Sequence, residues 1–151
     1  MRGWLLDTNV VSEPMQRRPE GVVLGWLYSL RPESTFVSVL TLAELDRGAE
    51  ALPPTDARRS SFARYRRRLE GQFAGRILSL EDETVRLWGV MAGRYQRERG
   101  GRMPPVDGLL AATAQRRGLY MATRNVRDFE ALGVMAFNPW ADDPADFPLQ
   151  R

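Results

Sequence analysis

The chain has no cysteine and no histidine, and all 22 of its basic residues are arginine. Each absence removes a class of chemistry. Without cysteine there are no disulfides, thiolate metal sites or thiol nucleophiles. Without histidine the usual imidazole base is missing, and so are the common zinc sites. Without lysine there is no phosphate-loop lysine, Schiff base or Ser–Lys dyad. No two glycines stand in a GxG spacing, so the dinucleotide-binding fingerprint is absent too. No apolar run is long enough for a transmembrane helix, and residues 1–15 are acidic and interrupted, unlike a signal peptide. A soluble, cytoplasmic protein is expected. Any catalysis in it rests on carboxylates, hydroxyls, arginine and a bound ion or cofactor.

What is present suits one compact domain. With 151 residues, 43% of them apolar, the chain can bury roughly 70% of its unfolded surface. The net charge of +3 is unevenly spread. Arg58, Arg59, Arg64, Arg66, Arg67, Arg68 and Arg76 stand against only Asp56 and Glu70, whereas the tail carries Asp142, Asp143 and Asp146. Such a basic segment suits a polyanionic or acidic partner. An exposed, solvated helix face accounts for it equally well.

Short apolar strands alternate with helices along the chain. Gly3-Trp4-Leu5-Leu6 reads as a buried strand that stops at Asp7. Residues 8–13 predict a helical turn ended by Pro14. A helix follows from Pro19 through Val22, Val23, Trp26, Leu27 and Leu30 to Pro32. Residues 35–39 are β-branched and aromatic enough for a strand. Leu40, Leu42, Ala43, Leu45 and Ala49 mark a helix with Thr41 as its cap and Glu44 in its first turn. Beyond Pro53-Pro54 the arginine-rich stretch predicts a long helix, and residues 76–80 a short strand. Residues 81–99 place Val85, Trp88, Met91, Ala92 and Tyr95 on one helical face before Gly100-Gly101. Pro104-Pro105 opens a helix that stops at Gly118. Residues 119–123 predict a strand, 126–129 a turn and 134–137 a last strand. This alternation predicts an α/β fold with a largely parallel, buried sheet.

Ligands of open α/β sheets bind beyond the carboxyl ends of the strands. Asp7 falls there. Asp107 opens an otherwise apolar helix, Glu44 lies among apolar helical neighbours, and Asn125 and Asp128 follow the strand that ends at Thr123. Each acid alone has a plain structural explanation: a helix cap for Asp7 or Asp107, a surface position for Glu44, a turn for Asp128. Together they suggest clustered carboxylates, which repel unless they share protons or hold a cation. Hard oxygen ligands without histidine or cysteine favour Mg²⁺ or Mn²⁺. Such an ion activates water and stabilises charge on a phosphodiester.

Four stretches stand out: Leu5-Leu6-Asp7-Thr8-Asn9-Val10-Val11-Ser12-Glu13, Leu42-Ala43-Glu44-Leu45, Asp107-Gly108-Leu109-Leu110-Ala111-Ala112-Thr113-Ala114 and Thr123-Arg124-Asn125-Val126-Arg127-Asp128-Phe129. In order and rough spacing they resemble the motifs of PIN-domain ribonucleases. The closing Phe137-Asn138-Pro139-Trp140 is similar to the VapC and FitB branch of bacterial toxins. The resemblance runs from Leu5 to Trp140. It implies a three-layer α/β/α sandwich with a mostly parallel central sheet, a nuclease domain over residues 1–140 and an acidic tail over 141–151. It further implies Mg²⁺- or Mn²⁺-dependent RNA cleavage, inhibition by a small cognate antitoxin, and a homodimer or larger assembly with that antitoxin. The motif acids match Asp7, Glu44 and Asp107. Some relatives carry a further acid where this chain has Asn125, others where Asp128 stands, so the fourth acidic role is given to Asp128.

On this reading Asp7 and Asp107 are direct metal ligands, while Glu44 and Asp128 complete the site or orient water. Thr8, Asn9, Thr123 and Asn125 are positioning groups, although local turn and cap hydrogen bonds would place the same residue types there. Arg64 and Arg67 or Arg68 are candidates to hold RNA phosphates. Two rival readings use the same acids. One is a metal-dependent phosphatase or DNA nuclease. The other is a catalytically silent dimeric module that acts with a DNA-binding partner, its acids serving the fold.

Overall fold

The computed structural model describes residues 1–150. Five strands, β1 (Gly3–Leu6), β2 (Thr35–Ser38), β3 (Ile77–Leu78), β4 (Leu119–Ala122) and β5 (Ala136–Phe137), form one sheet. Its order is β3-β2-β1-β4-β5 and every neighbouring pair is parallel. Trp4 stands opposite Thr35 on one side, and Leu5 opposite Met121 on the other. The first strand begins with glycine for a steric reason: a Cβ on Gly3 would stand 2.3 Å from the carbonyl oxygen of Ser34.

Strand alternation divides the apolar residues between two cores. Trp4, Leu6, Val37, Tyr120, Ala122 and Phe137 point to one face. There they meet α1 (Thr8–Val11), α2 (Gly21–Ser29), α3 (Val39–Glu50) and α4 (Ala57–Gln72) through Val10, Trp26, Leu42, Leu45 and Leu69. Leu5, Leu119, Met121 and Ala136 point to the opposite face. They pack on α5 (Asp82–Arg99), α6 (Pro105–Arg117) and α7 (Val126–Glu130) through Met91, Leu110, Ala111, Ala114 and Phe129. The result is the expected three-layer α/β/α arrangement, with a sheet that is parallel throughout.

Several local expectations are corrected. Ser38, not Thr41, caps α3: its hydroxyl accepts the Leu40 amide at 3.1 Å, while Thr41 is fully buried in the first turn. Pro14 does not end the first turn but sits inside a 3₁₀ turn, Glu13–Met15, where the missing amide costs nothing. Val85 faces solvent, and Thr84 takes its place on the buried side of α5. The last strand is shorter than expected, beginning at Ala136.

The arginine-rich α4 is largely explained by packing. Arg66 pairs with Asp46 at 3.0 Å and with Glu70, and Arg59 pairs with Glu50, so the helix is fastened to α3. Arg76, just beyond it, donates to the carbonyls of Pro32, Thr35 and Gln72 at 2.6–2.9 Å. Tyr65 donates its hydroxyl to the Val11 carbonyl. Burial pushes the pKa of that phenol up to about 12.

The residues after Trp140 fold back over the first core. The Phe147 ring lies 5.0 Å from Phe137 and 5.3 Å from Tyr120, and Tyr120 donates to the Pro148 carbonyl at 3.2 Å. Gln150 closes the segment by donating its amide to the Met1 carbonyl at 2.8 Å. Among the described residues, no helix is long and apolar enough to cross a membrane.

Candidate active site

The chain runs outward from β1 to β2 and β3, then crosses to the other side of β1 to lay down β4 and β5. That reversal opens a crevice beyond the carboxyl ends of β1 and β4, where such sheets bind ligands. Asp7 is the residue after β1, and its amide donates to the Ala122 carbonyl at 2.9 Å, at the end of β4. Its extended backbone makes it the N-cap of α1, with Oδ1 accepting the Thr8 amide at 2.8 Å. Oδ2 accepts the hydroxyl of buried Thr123 at 2.7 Å and the amide of Asn9 at 3.2 Å. Asn9 also donates to Thr123 Oγ1 at 3.3 Å, and the Asn125 amide donates to that oxygen at 3.0 Å. Thr8, Asn9 and Thr123 therefore hold Asp7 in one orientation. Asn125 contributes its backbone, and its side chain makes no cap bond to α7.

Glu44 reaches the crevice from α3 and accepts the Thr8 hydroxyl. Helix α6 precedes β4 and returns to it, so its N-terminal end lies at the carboxyl edge of the sheet. Asp107 occupies its first turn, half-buried. Gly108 follows because the site is tight: a Cβ there would meet Met103 Cε at 2.4 Å and the Trp88 ring at 3.0 Å. Asp128 lies exposed in the first turn of α7.

Electrostatics tie these four acids together. Burial raises the pKa of Asp7, the bonds from Thr123 and Thr8 oppose the rise, and the charges of Glu44 and Asp107 add to it. Burial likewise raises Asp107, followed by repulsion from Glu44 and Asp128. Asp7 thus feels the charges of Glu44 and Asp107, and Asp107 those of Glu44 and Asp128. A cation there relieves the repulsion. The donor set, all carboxylate and hydroxyl oxygen, suits a hard divalent ion. Among the described residues no three acids form a closed ligand group. That is compatible with an ion such as Mg²⁺, which keeps several waters and takes one or two carboxylates.

The chain matches the PIN domain family over residues 4–134. It is 36% identical to toxin FitB of Neisseria gonorrhoeae over 91% of its own length and 99% of FitB. This is a PIN-domain protein of the VapC and FitB toxin family. A VapC ribonuclease of Sinorhizobium fredii is also 36% identical, over 90% of this chain and 96% of that one. The solved FitAB complex bound to an IR36 DNA fragment contains a chain that superposes with a TM-score of 0.82 at 34% identity, covering 93% and 97% of the two chains. PIN-domain nucleases generally use a divalent metal, and the oxygen donors of this PIN domain are of the matching kind.

The structure treats the arginine candidates differently. Arg64, Arg67 and Arg68 are exposed on α4; Arg64 turns to Ser61, and Arg68 lines an apolar groove of about 540 Å³ with Leu27, Tyr28 and Leu69. Among the described residues no hydrogen bond or ion pair joins these three to the acids. Three arginines not singled out from the sequence lie beside Asn9, a hydrogen-bond partner of Asp7. Arg17, Arg18 and Arg124 line a bowl whose wall includes Asn9. The signal for Arg124 is its position directly after Thr123, and for Arg17-Arg18 their place just beyond the turn that follows Asp7.

Proposed function

We propose that this PIN domain is the ribonuclease toxin of a type II toxin–antitoxin pair, hydrolysing RNA phosphodiesters with Mg²⁺ or Mn²⁺. The observation that carries the reading is the placement of Asp7 and Glu44, joined through Thr8, at the sheet's crevice with Asp107 near enough to add its charge, in a chain so similar to named toxins and a named ribonuclease. Asp7 and Asp107 would hold the ion directly, with Glu44 and Asp128 nearby. When bound, the ion supplies Lewis acidity and lowers the pKa of a coordinated water.

The chain's own residues do the rest. Thr123 and Asn9 fix the Asp7 carboxylate by donating to Oδ2. Thr8 holds Glu44 in place through its hydroxyl, so Glu44 is positioned to accept a proton from water. Asp128, exposed at the mouth, accepts or returns protons on the solvent side.

Relatives solved as FitAB and VapBC complexes support a small antitoxin as partner; a homodimer or a larger assembly with that antitoxin, in the cytoplasm, completes the reading. A cationic antitoxin side chain among the four acids would replace the metal's charge and switch the site off. A silent binding module is not favoured, because similarity extends to a chain named for its ribonuclease activity.

The test is cleavage of RNA by the chain freed of any partner. Mg²⁺ or Mn²⁺ should support cleavage, a chelator should abolish it, and the neighbouring small protein should inhibit it. Expression of the chain alone should arrest growth, and the Asp7→Ala, Asp107→Ala double variant should not. Folded wild-type protein that leaves RNA intact with either metal would sink the reading.

A further inference from the structure

Clustered acids attract a metal ion but repel the substrate, since every RNA phosphate carries a negative charge. A nuclease built on them needs cations placed just outside the cluster. One bowl beside the site supplies them. It measures about 450 Å³, and its lining includes Asn9, Arg17, Arg18 and Arg124 as well as Glu13 and Glu20. Asn9 is the wall it shares with the acids. The Asn9 side chain donates to Asp7 at 3.2 Å and, on its other side, accepts the Arg124 amide at 3.2 Å.

The three arginines are available. All are exposed, and among the described residues none forms an ion pair. Glu13 is buried and its Oε1 accepts the Glu20 amide at 2.8 Å, so of the two acids only the Glu20 carboxylate shares the exposed surface with the three arginines. Arg124 is held ready: its guanidinium stacks 4.1 Å from the centre of the Trp140 ring. Stacking fixes the plane of the fork while leaving its N–H groups free for phosphate oxygens.

We propose that Arg17, Arg18 and Arg124 form a phosphate-binding subsite that grips the RNA backbone on one side of the scissile bond. The proposal rests on the ribonuclease reading and names the residues that hold its substrate. These are binding residues, acting on affinity and register rather than on the bond that breaks.

The experiment compares full-length wild type with Arg17→Gln/Arg18→Gln and Arg124→Gln variants on a fluorescent single-stranded RNA and on a dinucleotide. On the long RNA, KM should rise about tenfold for the double variant and about fivefold for Arg124→Gln, the scale of solvent-exposed charge contacts. kcat should stay within about twofold, since binding rather than chemistry is removed. Neither variant should change KM on the dinucleotide, which is too short to reach the bowl. RNA binding, measured by anisotropy in an Asp7→Asn background, should lose about 0.7 in its log–log salt slope for each phosphate contact removed. Arg124→Lys should recover part of the lost affinity but not all of it, because lysine keeps the charge and loses the planar stack. Wild type that cleaves RNA while the variants keep its KM and salt slope overturns this proposal alone. Wild type that neither binds nor cleaves RNA overturns the ribonuclease reading and this proposal together.

Discussion

Asp7 has two roles that oppose each other energetically. As a cap it satisfies α1 and fixes Thr123, yet its charge is buried beside Glu44 and Asp107. Asparagine keeps the shape and removes the charge, so Asp7→Asn should lower activity by at least about 100-fold, each factor of ten being ~1.4 kcal/mol of barrier. The same change also sets an amide NH2 against the Thr8 or Asn9 donor, so the Tm difference from metal-free wild type is read for its change with pH. The sign follows from the raised folded-state pKa. Stability contributed by protonated Asp7 is full below the ordinary value of 3.8 and is lost as pH rises through the folded value. The Tm advantage of Asp7→Asn over metal-free wild type should therefore grow with pH across that window and then level off. An advantage that shrinks instead would show that the charge of Asp7 is not repelled.

Asp128 and Asn125 separate in the same manner. Asp128 contributes to the repulsion felt by Asp107, whereas Asn125 offers only its backbone amide to Thr123. Asp128→Asn should reduce kcat by about tenfold, equivalent to ~1.4 kcal/mol, while Asn125→Ala stays within about twofold. Steady-state kinetics with the metal held constant decides it. A silent Asp128→Asn beside a dead Asn125→Ala would move the fourth role to Asn125.

Strands and helices carry two further expectations. At the start of β1, Gly3→Ala drives a Cβ into the backbone oxygen of Ser34, which cannot swing aside as a side chain would. Urea denaturation should register a loss of about 2 kcal/mol or more, typical of overpacking. Unchanged stability would mean that β1 and the Ser34 loop are not packed as described. On α4, Tyr65→Phe removes the one hydroxyl that reaches the Val11 carbonyl and costs about 1 kcal/mol, the net worth of a hydrogen bond. Because Val11 ends the helix that Asp7 begins, activity should fall more than stability alone would explain. Equal activity in Tyr65→Phe would show that α4 does not steady the site.

Across the whole molecule, the C-terminal segment seals the first core. Phe147 sits among Trp4, Tyr120 and Phe137, so those rings depend on it for cover. Being half-buried, it should cost less than a fully buried phenylalanine: Phe147→Ala loses about 2 kcal/mol, or roughly 5 °C in Tm. Metal binding on the far edge of the sheet should be unaffected. A calorimetric Tm within 1 °C, roughly the scatter of a surface change, would show that the segment contributes nothing to the core.

The sequence by itself determined the alternation of elements and, with it, the chemistry. Short apolar runs such as Gly3-Trp4-Leu5-Leu6, alternating with helices, suit buried parallel strands, and the missing histidine and cysteine leave carboxylates as the side chains able to hold an ion. Asp7 was legible because an acid that ends a buried strand stands at the sheet's carboxyl edge whatever the rest of the chain does. The cap of α3 was harder to read, because Ser38 and Thr41 both carry a hydroxyl and only the observed start of the helix selects Ser38. The basic stretch was legible only as charge, for a related reason. Sequence shows charge but not its partners, and tertiary packing spends Arg59 and Arg66 on acids and Arg76 on backbone carbonyls. Only the folded chain brings Arg17-Arg18 next to Arg124 and rests Arg124 on Trp140. Contacts between residues more than a hundred positions apart leave no local pattern, because their register is set by the order in which the strands pair.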